Sequence, residues 1–354
     1  MTKTMPAAVL HGIKDLRIDQ IPVPDAPARG EVQIRIGKVG ICGSDVHYYE
    51  HGRIGNFIVE SPMTLGHECA GTVVAVGEGV SHLQNGDRVA IEPGVPRLSN
   101  ALSHFYMKRG QYNLCPDIFF FATPPDNGSF CGLVNHKADF CFKLPDGVSL
   151  EEGAMIEPLS TGIYAARVAP VVMGDTVVIT GAGPIGLMNL LACQAAGATN
   201  VVISDRVESR LEVAKQLGAT QVVRGDAEEL KSAAHELTEG RGADVGIECA
   251  GHPSALAASI GAVRAGATVV LIGMPVGDTA SVNINDLIVR EITLKPIFRY
   301  NNTFPTGVDL IASGKVDVKL LISRRFELSE VPEAFEYVLE NRETCVKAIV
   351  NIGE

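Results

Sequence analysis

The chain has 354 residues, of which 46% are hydrophobic, and its formal net charge is −11. This length and apolar content allow a large buried core and predict about two domains. With no basic tract, no apolar run of the ~20 residues that span a bilayer and no signal-peptide core, we expect a cytoplasmic protein without nucleic-acid or membrane partners.

The first part of the chain, up to about residue 146, is rich in short β-type runs separated by turn residues. Examples are residues 31–36, 71–76 and 87–91, with Gly86-Asp87 and Pro93-Gly94 as turn signals. This pattern predicts an antiparallel, barrel-like sheet. Eight cysteines in a chain of this length do not indicate a disulfide scaffold.

Within that part, residues 40–71 carry a candidate metal site. Cys42, His67 and Glu68 supply a thiolate, an imidazole and a carboxylate, which are the ligand types that zinc accepts in an open, reactive site. His67 and Glu68 are adjacent, so they bind one ion only where the backbone is irregular, and Gly66 and Gly71 permit such backbone. The alternative for each residue alone is a buried free cysteine or a hydrogen-bonded core histidine.

The pattern changes at Ser149, which forms a predicted capping box with Glu152 at the start of a helix. An alternating series of strands and helices follows as far as about Pro296. The strands are predicted at Thr176–Thr180, Asn200–Ser204, 245–248, 268–272 and 292–295, with helices such as 209–217 and 254–263 between them. Such alternation predicts a parallel sheet covered on both faces.

The tail contains two amphipathic segments, Phe304–Ala312 and Val331–Glu340, and a strand-like segment at 347–352. It is too short for a domain of its own. We therefore expect it to rejoin the first domain, so that the β/α unit is inserted into the chain.

A nucleotide-binding loop follows the strand Thr176–Thr180. Gly181 permits a tight turn, Gly183 lets the backbone approach a pyrophosphate, and Gly186 allows the next helix to pack closely. Asp205, at the end of the next strand, is placed to bind both ribose hydroxyls and to repel a 2′-phosphate. NAD is therefore favoured over NADP, although the neighbouring Arg206 is a residue type that tolerates that phosphate.

With these motifs, the chain resembles the zinc-containing medium-chain dehydrogenases, and most of all their sorbitol/xylitol (polyol) subgroup. The matching segments are 40–48, 52–57, 122–126, 156–159 and 298–300. The resemblance implies an α/β protein in which a GroES-like β-barrel catalytic domain (residues 1–155 and 297–354) carries an inserted Rossmann domain, a doubly wound parallel sheet (residues 156–296). It also implies an active site in the cleft between the domains and a homotetramer.

The resemblance assigns roles to individual positions. The catalytic zinc falls to Cys42, His67 and Glu68, with Glu157 near the ion, either directly or through water, and the proton relay falls to Ser44 and His47. Polyol-contacting positions are Tyr48, Phe120, Thr123, Arg299 and Tyr300. Cofactor positions, besides the three loop glycines, are Ile185, Asp205, Arg210, Ile272, Gly273, Met274, Ile297, Phe298 and Arg299.

The implied activity is zinc-dependent oxidation of xylitol or sorbitol to D-xylulose or fructose, with hydride transfer to NAD. A zinc ion lowers the pKa of an alcohol so that it loses its proton near neutral pH, and Ser44 and His47 could carry that proton away. Two alternatives stay open. One is another secondary alcohol, such as arabinitol, threonine or butanediol, and the other is a non-catalytic NAD(H)-binding relative.

One segment departs from the family pattern. Many relatives hold a second, structural zinc with four cysteines in the lobe that follows residues 92–94, but here only Cys115 of the four remains. We therefore expect one zinc per chain. We also expect this lobe, residues 96–117, to hold its shape by packing of apolar side chains, namely Leu98, Leu102, Phe105, Tyr106 and Met107.

Overall fold

The structure is a computed structural model that describes residues 3–275 and 279–353. It divides into two compact units. The first unit runs to Glu157 and also includes Phe304–Ala312 and the chain from Ile322 onward. The second unit consists of Pro158–Thr303 and Ser313–Leu321.

The first unit is built on antiparallel strands. They are β1 (Thr4–Gly12), β2 (Asp15–Pro22), β3 (Glu31–Gly40), β4 (Arg53–Ile54), β5 (Phe57–Ile58), β6 (Met63–Thr64), β7 (Glu68–Val76), β8 (Arg88–Ile91), β9 (Gly94–Pro96), β10 (Ile118–Phe120), β11 (Leu133–Lys137) and β12 (Cys141–Lys143). Two further strands follow the second unit in the sequence, β19 (Ile322–Glu327) and β20 (Lys347–Asn351); they pair with each other in parallel, and β20 is antiparallel to β3. The largest sheet has the order β12-β8-β7-β3-β20-β19, with β11 also pairing with β3.

This order makes β3 the neighbour of both β7 and β20. Gly40, the last residue of β3, pairs with Glu68 on β7 and with Ile349 on β20. The helices of this unit are α1 (Gly43–His51), α2 (Ala101–Lys108), α3 (Leu150–Ala154), α10 (Phe304–Ala312) and α11 (Val331–Glu340). The core between the sheets and helices contains fully buried side chains such as Leu10, Ile34, Phe130 and Phe335. The C-terminal strand thus brings distant residues beside the predicted metal stretch.

The second unit contains a six-stranded parallel sheet. Its strands are β13 (Thr176–Thr180), β14 (Asn200–Ser204), β15 (Gln221–Val223), β16 (Ala243–Glu248), β17 (Val263–Leu271) and β18 (Thr293–Pro296), in the order β15-β14-β13-β16-β17-β18. Its helices are α5 (Pro184–Ala196), α6 (Glu208–Gln216), α7 (Ala227–Leu237), α8 (Pro253–Ala262) and α9 (Ile284–Val289), and α4 (Ile156–Val168) leads into it. This strand order is that of a doubly wound dinucleotide-binding fold, so the predicted fold class is confirmed.

The predicted elements were confirmed where their sequence signal was strong. Strands β13 and β14 and helices α10 and α11 have the predicted bounds, and Ser149 and Glu152 form the predicted capping box. Helix α1, inside the metal stretch, was not predicted. The second compact unit extends to Thr303 and includes residues 313–321, whereas the predicted inserted domain ends at residue 296. The domain boundaries given from the sequence stay a prediction. Among the described helices, none has the length and apolarity needed to cross a bilayer.

Candidate active site

The three predicted metal ligands lie together in the first unit. Cys42 follows the end of β3 and caps α1, His67 lies just before β7, and Glu68 is the first residue of β7. One ligand atom from each of these side chains lies within 4.8 Å of the other two. His67 and Glu68 are buried, and Cys42 is partly exposed. A thiolate, an imidazole and a carboxylate at this spacing are a donor set that fits zinc and leaves a position for a further ligand.

Asp45 contacts the backbone next to the ligand group and the ring of His67. Its side chain is fully buried and accepts hydrogen bonds from the backbone N–H groups of Cys42 (3.1 Å) and Gly66 (3.0 Å). Its Oδ1 also lies 3.5 Å from Nδ1 of His67, a buried nitrogen without a hydrogen-bond partner of good geometry. Nδ1 therefore faces a carboxylate, which leaves Nε2 as the nitrogen for a metal. No role of Asp45 was predicted from the sequence, although its spacing from Cys42 is that of a capping box.

The charge around His67 favours a cation. Burial lowers the pKa of His67, but the charges of Asp45 and Cys42 outweigh burial and raise that pKa well above its usual value. These two negative groups thus favour the protonated, positively charged form of the His67 imidazole. A metal ion in that place would satisfy the same electrostatic demand and would release the proton.

Glu68 has a partner that sequence analysis missed. Nζ of Lys347, on β20, donates to both carboxylate oxygens of Glu68 at 2.6 and 2.7 Å, and both side chains are almost completely buried. The one local signal for Lys347 was an isolated charge in the otherwise apolar segment 346–350.

Glu157, at the start of α4, is also buried. Within the described residues it is not part of the group of three ligands, but its charge acts on Lys347, Cys69 and Glu92. Its role near the ion, either directly or through water, stays a prediction.

The predicted relay and several polyol positions lie in the same unit. Ser44 and His47 are three residues apart on α1 and so share a face of the helix; Ser44 is half-buried and His47 is exposed. Tyr48 is buried on the same helix. The ring of Phe120 lies 5.8 Å from the ring of His67, between centroids, and the backbone N–H of Thr123 bonds to the Phe120 carbonyl. The metal ligands, Phe120 and α1 therefore form one locality.

In the second unit, the loop between β13 and α5 has the form of a phosphate-binding turn. Gly181 has a φ of 95°, and a side chain on Gly186 would collide with the carbonyl oxygen of Gly181. Gly183 caps α5, and an added Cβ there would meet nothing within 4 Å. Gly181 and Gly186 are thus required by the protein's own packing. Gly183 instead faces open space, in which a pyrophosphate group could approach the protein backbone closely.

Asp205 lies in a cleft of about 420 Å³ that is lined in part by Gly181, Gly183 and Arg210. One carboxylate oxygen accepts the backbone N–H of Ala182 at 2.7 Å, and the other accepts that of Val207 at 2.9 Å. Nη1 of Arg210 lies 3.6 Å away. These contacts fix the carboxylate at the end of β14 and leave lone pairs for further donors.

The remaining cofactor and polyol positions also lie in this unit. Ile185 is half-buried on α5. Ile272, Gly273 and Met274 follow β17, and the side chain of Met274 is exposed. The segment from Ile297 to Tyr300 follows β18; Arg299 has a φ of 54°, its guanidinium lies over the ring of Phe298, and Tyr300 is buried. A non-glycine residue with positive φ is strained backbone, which is enriched at functional sites.

The lobe of residues 96–117 is organised differently from the prediction. Leu102, Phe105 and Met107 are exposed and Leu98 and Tyr106 are partly buried, so apolar packing of the five predicted side chains is confirmed only for two of them. Instead, the carboxylate of Asp117 accepts hydrogen bonds from the backbone N–H of Ser99 (2.6 Å), from its hydroxyl (2.6 Å) and from the hydroxyl of Ser103. Desolvation raises the pKa of Asp117, but the hydrogen bonds from Ser103 and Ser99 outweigh it and bring that pKa to about 2.

Glu92, which precedes this lobe in the sequence, is a buried carboxyl with a partner inside the lobe. The hydroxyl of Tyr112 donates to Glu92 at 2.6 Å, and Nε2 of His136 lies 2.8 Å from the backbone oxygen of Glu92. Burial raises the pKa of Glu92 to about 8, and the charge of Glu157 adds to this effect while the Tyr112 bond opposes it. Glu92 is therefore mostly protonated at neutral pH.

Comparisons with known proteins agree with both units. Residues 28–146 match the alcohol dehydrogenase GroES-like domain, and residues 184–313 match the zinc-binding dehydrogenase family. The chain is 47% identical to the sorbitol dehydrogenase of Gallus gallus over 332 residues, which cover 93% of this chain and 92% of that protein. It is 48% identical to the sorbitol dehydrogenase of Homo sapiens over 330 residues, with 93% and 91% covered. An Escherichia coli oxidoreductase of unknown specificity, involved in membrane biogenesis, has a similar structure, with a TM-score of 0.92, 38% identity and coverage of 99% of this chain and 100% of that one.

Proposed function

The chain belongs to the zinc-binding medium-chain dehydrogenases, in their polyol subgroup, and on that premise we propose that it holds one catalytic zinc ion per chain and prefers NAD. The enzyme oxidises a polyol to the corresponding ketose; we propose xylitol or sorbitol as the polyol, and D-xylulose or fructose as the ketose. The observation that carries the proposal is the group formed by Cys42, His67 and Glu68, whose donor atoms lie within 4.8 Å of one another.

The residues of the first unit divide the work between metal binding and proton transfer. Cys42, His67 and Glu68 would hold the metal, Asp45 would orient His67, and Glu157 would act near the ion, either directly or through water. Bound there, zinc would act as a Lewis acid on the oxygen of the reacting hydroxyl or carbonyl group, and a nicotinamide cofactor would supply the partner for hydride transfer at the carbon that bears this oxygen. The proton released from the substrate hydroxyl passes along one face of α1, from the half-buried Ser44 to the exposed His47, and reaches solvent there.

Cofactor preference follows from Asp205. Its fixed carboxylate offers acceptors to the two ribose hydroxyls of NAD, whereas the 2′-phosphate of NADP would bring a second anion to the same place. The opposing influences are Arg206, which lines the same cleft, and Arg210, whose Nη1 lies 3.6 Å from the carboxylate. We expect NAD to be preferred about a hundredfold or more in kcat/KM, and Asp205→Ala to narrow that ratio. Equal turnover with NADP in the unmodified protein would overturn this assignment.

From the family resemblance, we assign polyol selection to Tyr48, Phe120, Thr123, Arg299 and Tyr300. Arg299 and Tyr300 carry donors that suit a chain of hydroxyl groups, and each such hydrogen bond that a simple alcohol cannot make costs about 1–3 kcal/mol. Polyols should therefore be oxidised far better than simple alcohols such as propan-2-ol.

The test is a set of initial rates over a panel of sorbitol, xylitol, arabinitol, threonine, butanediol and propan-2-ol, each with NAD and with NADP, together with elemental analysis. We expect the highest kcat/KM for sorbitol or xylitol with NAD, and close to one zinc per chain. A preference for butanediol or threonine would reassign the substrate, and absence of turnover with every alcohol would favour a non-catalytic relative. The homotetramer and the cytoplasmic location stay predictions, and analytical ultracentrifugation tests the first of them.

A further inference from the structure

The pairing of Glu68 with Lys347 is the most completely buried ion pair at the ligand group. Nζ of Lys347 donates to both carboxylate oxygens of Glu68, at 2.6 and 2.7 Å, and to the carbonyl oxygen of Ile41 at 3.1 Å. The exposed fractions of the two side chains are 2% and 1%. A proposed metal ligand therefore already has a cation on both of its oxygens.

The sheet explains how two residues 279 positions apart meet so closely. Glu68 on β7 and Lys347 on β20 lie on the two strands that flank β3. Between them, β3 ends in Gly40, where an added Cβ would collide with Oε2 of Glu68. Gly40 thus leaves the space in which the carboxylate reaches across the sheet to the ammonium group.

This geometry limits what Glu68 can offer to a metal. A carboxylate oxygen that accepts a hydrogen bond from a buried ammonium group carries less charge toward a second cation. Glu68 must therefore share an oxygen with Lys347 or turn away from it when it binds zinc.

On the basis of the proposed zinc site, we propose that Lys347 competes with the metal for Glu68 and acts as a positioning residue. It holds the carboxylate over Gly40, weakens the bond between Glu68 and the ion, and so keeps the ion's remaining position exchangeable for substrate. In the absence of zinc, it also neutralises a carboxylate that would otherwise be buried without a partner.

Removing the ammonium group should therefore lower the stability of the zinc-free protein more than that of the zinc-bound protein. Without zinc, a Lys347→Met protein contains an unpaired buried carboxylate, which is strongly destabilising. With zinc, the ion takes over the neutralisation of Glu68. The stabilisation that zinc provides should increase in this variant, whereas a purely structural lysine would lower the stability of both forms equally.

The experiment compares the full-length protein with Lys347→Met, Lys347→Arg and a control, Lys38→Met. Lys38 lies on β3 of the same sheet, and its Nζ is 3.8 Å from the carboxylate of Glu151 on α3. Tm is measured with zinc and after removal of zinc by a chelator, and zinc release is followed with a chromogenic chelator. For Lys347→Met we expect a zinc-induced rise in Tm about 5 °C or more larger than in the parent protein, and zinc release about tenfold slower. Lys347→Arg should return both quantities toward the parent values, and Lys38→Met should leave them unchanged.

Equal zinc-induced rises in the parent and Lys347→Met would overturn the proposal, as would faster zinc release in the variant. Lys347→Gln keeps a hydrogen-bond donor but removes the charge, and it replaces Lys347→Met if that variant does not fold. Its zinc-induced rise in Tm must then be larger than that of the parent protein, and an equal rise overturns the proposal as well. A parent protein that binds no zinc would instead refute the proposed metal site itself, so the two failures are distinguishable.

Discussion

Two regions of the first unit, residues 40–71 and residues 96–117, each contain an organising carboxylate, but only the first retains a set of metal ligands. Asp45 is fully buried and binds the backbone beside Cys42 and His67. Asp117 is half-buried and gathers Ser99 and Ser103 around itself. In the first region the carboxylate orients donors for an ion, and in the second it is itself the centre to which the surrounding groups bond.

The second region contains only Cys115 of the four cysteines expected for a structural zinc, and hydrogen bonds to Asp117 organise it. Three hydrogen bonds to one ionised carboxylate hold the start of α2 and the segment before it, while the apolar side chains of α2 remain exposed. Hydrogen bonds to a charged acceptor are about twice as strong as neutral ones, so a small network is sufficient for a short lobe.

The largest expected contrast is between the cysteines of the two regions. Cys42→Ser should remove zinc and lower kcat/KM by about 10³-fold or more, because the Lewis acid supplies several kcal/mol of transition-state stabilisation. Cys115→Ser, at a buried thiol that donates to the Ser103 carbonyl at 3.4 Å, should retain zinc and activity. Elemental analysis and initial rates measure both effects, and loss of zinc from Cys115→Ser would contradict the single-zinc assignment.

The two carboxylates provide the second contrast. Asp45→Asn should weaken zinc binding by about 10–100-fold, because the group that orients the ligand His67 loses its charge. Asp117→Asn should leave zinc affinity unchanged. Competition with a chelator of known affinity gives both values; a similar loss in the two variants would mean that the lobe and the ligand group are coupled.

Glu92, which accepts a hydrogen bond from Tyr112 of the second region, provides a pH dependence. Its pKa is raised from 4.5 to about 8, so the native protein retains a proton that the unfolded chain releases. The resulting stability is complete below pH 4.5 and is lost as the pH rises toward 8, by an amount on the order of a few kcal/mol. Urea unfolding at pH 5 and at pH 8 should show this loss in the parent protein and a smaller one in Glu92→Gln. An identical pH dependence in the two proteins would assign the effect to another group.

The smallest expected effect concerns stability in acid. Asp117 has a pKa lowered from 3.8 to about 2, so its hydrogen bonds contribute stability above pH 3.8 that is lost as the pH falls toward 2. Asp117→Asn should lower the free energy of unfolding at pH 7 by about 1–2 kcal/mol, a discounted value for a half-buried group. Thermal unfolding at several pH values measures it, with the exposed Asp139→Asn as the control. A variant as stable as the parent would show that packing holds the lobe after all.

The sequence by itself determined the elements whose signals are local. The strands Thr176–Thr180 and Asn200–Ser204, the glycine loop between β13 and α5, and the helices Phe304–Ala312 and Val331–Glu340 were all predicted from residues within one short window. The ligands Cys42, His67 and Glu68 were predicted from donor chemistry, and the structure brings them together. Periodicity, turn chemistry and donor type act over a few residues, so they can be recognised without the fold.

Only the tertiary structure decided the partners of those residues. Lys347 contacts Glu68 because the strand order β7-β3-β20 places β7 and β20 on either side of Gly40. The sequence around Lys347 does not predict which carboxylate this lysine pairs with. The lobe likewise depends on Asp117, which binds Ser99 18 residues earlier, while three of the five side chains predicted to pack, Leu102, Phe105 and Met107, are exposed. Burial and pairing over such separations depend on strand order and on the surfaces that the folded chain covers, and neither property is contained in any local segment.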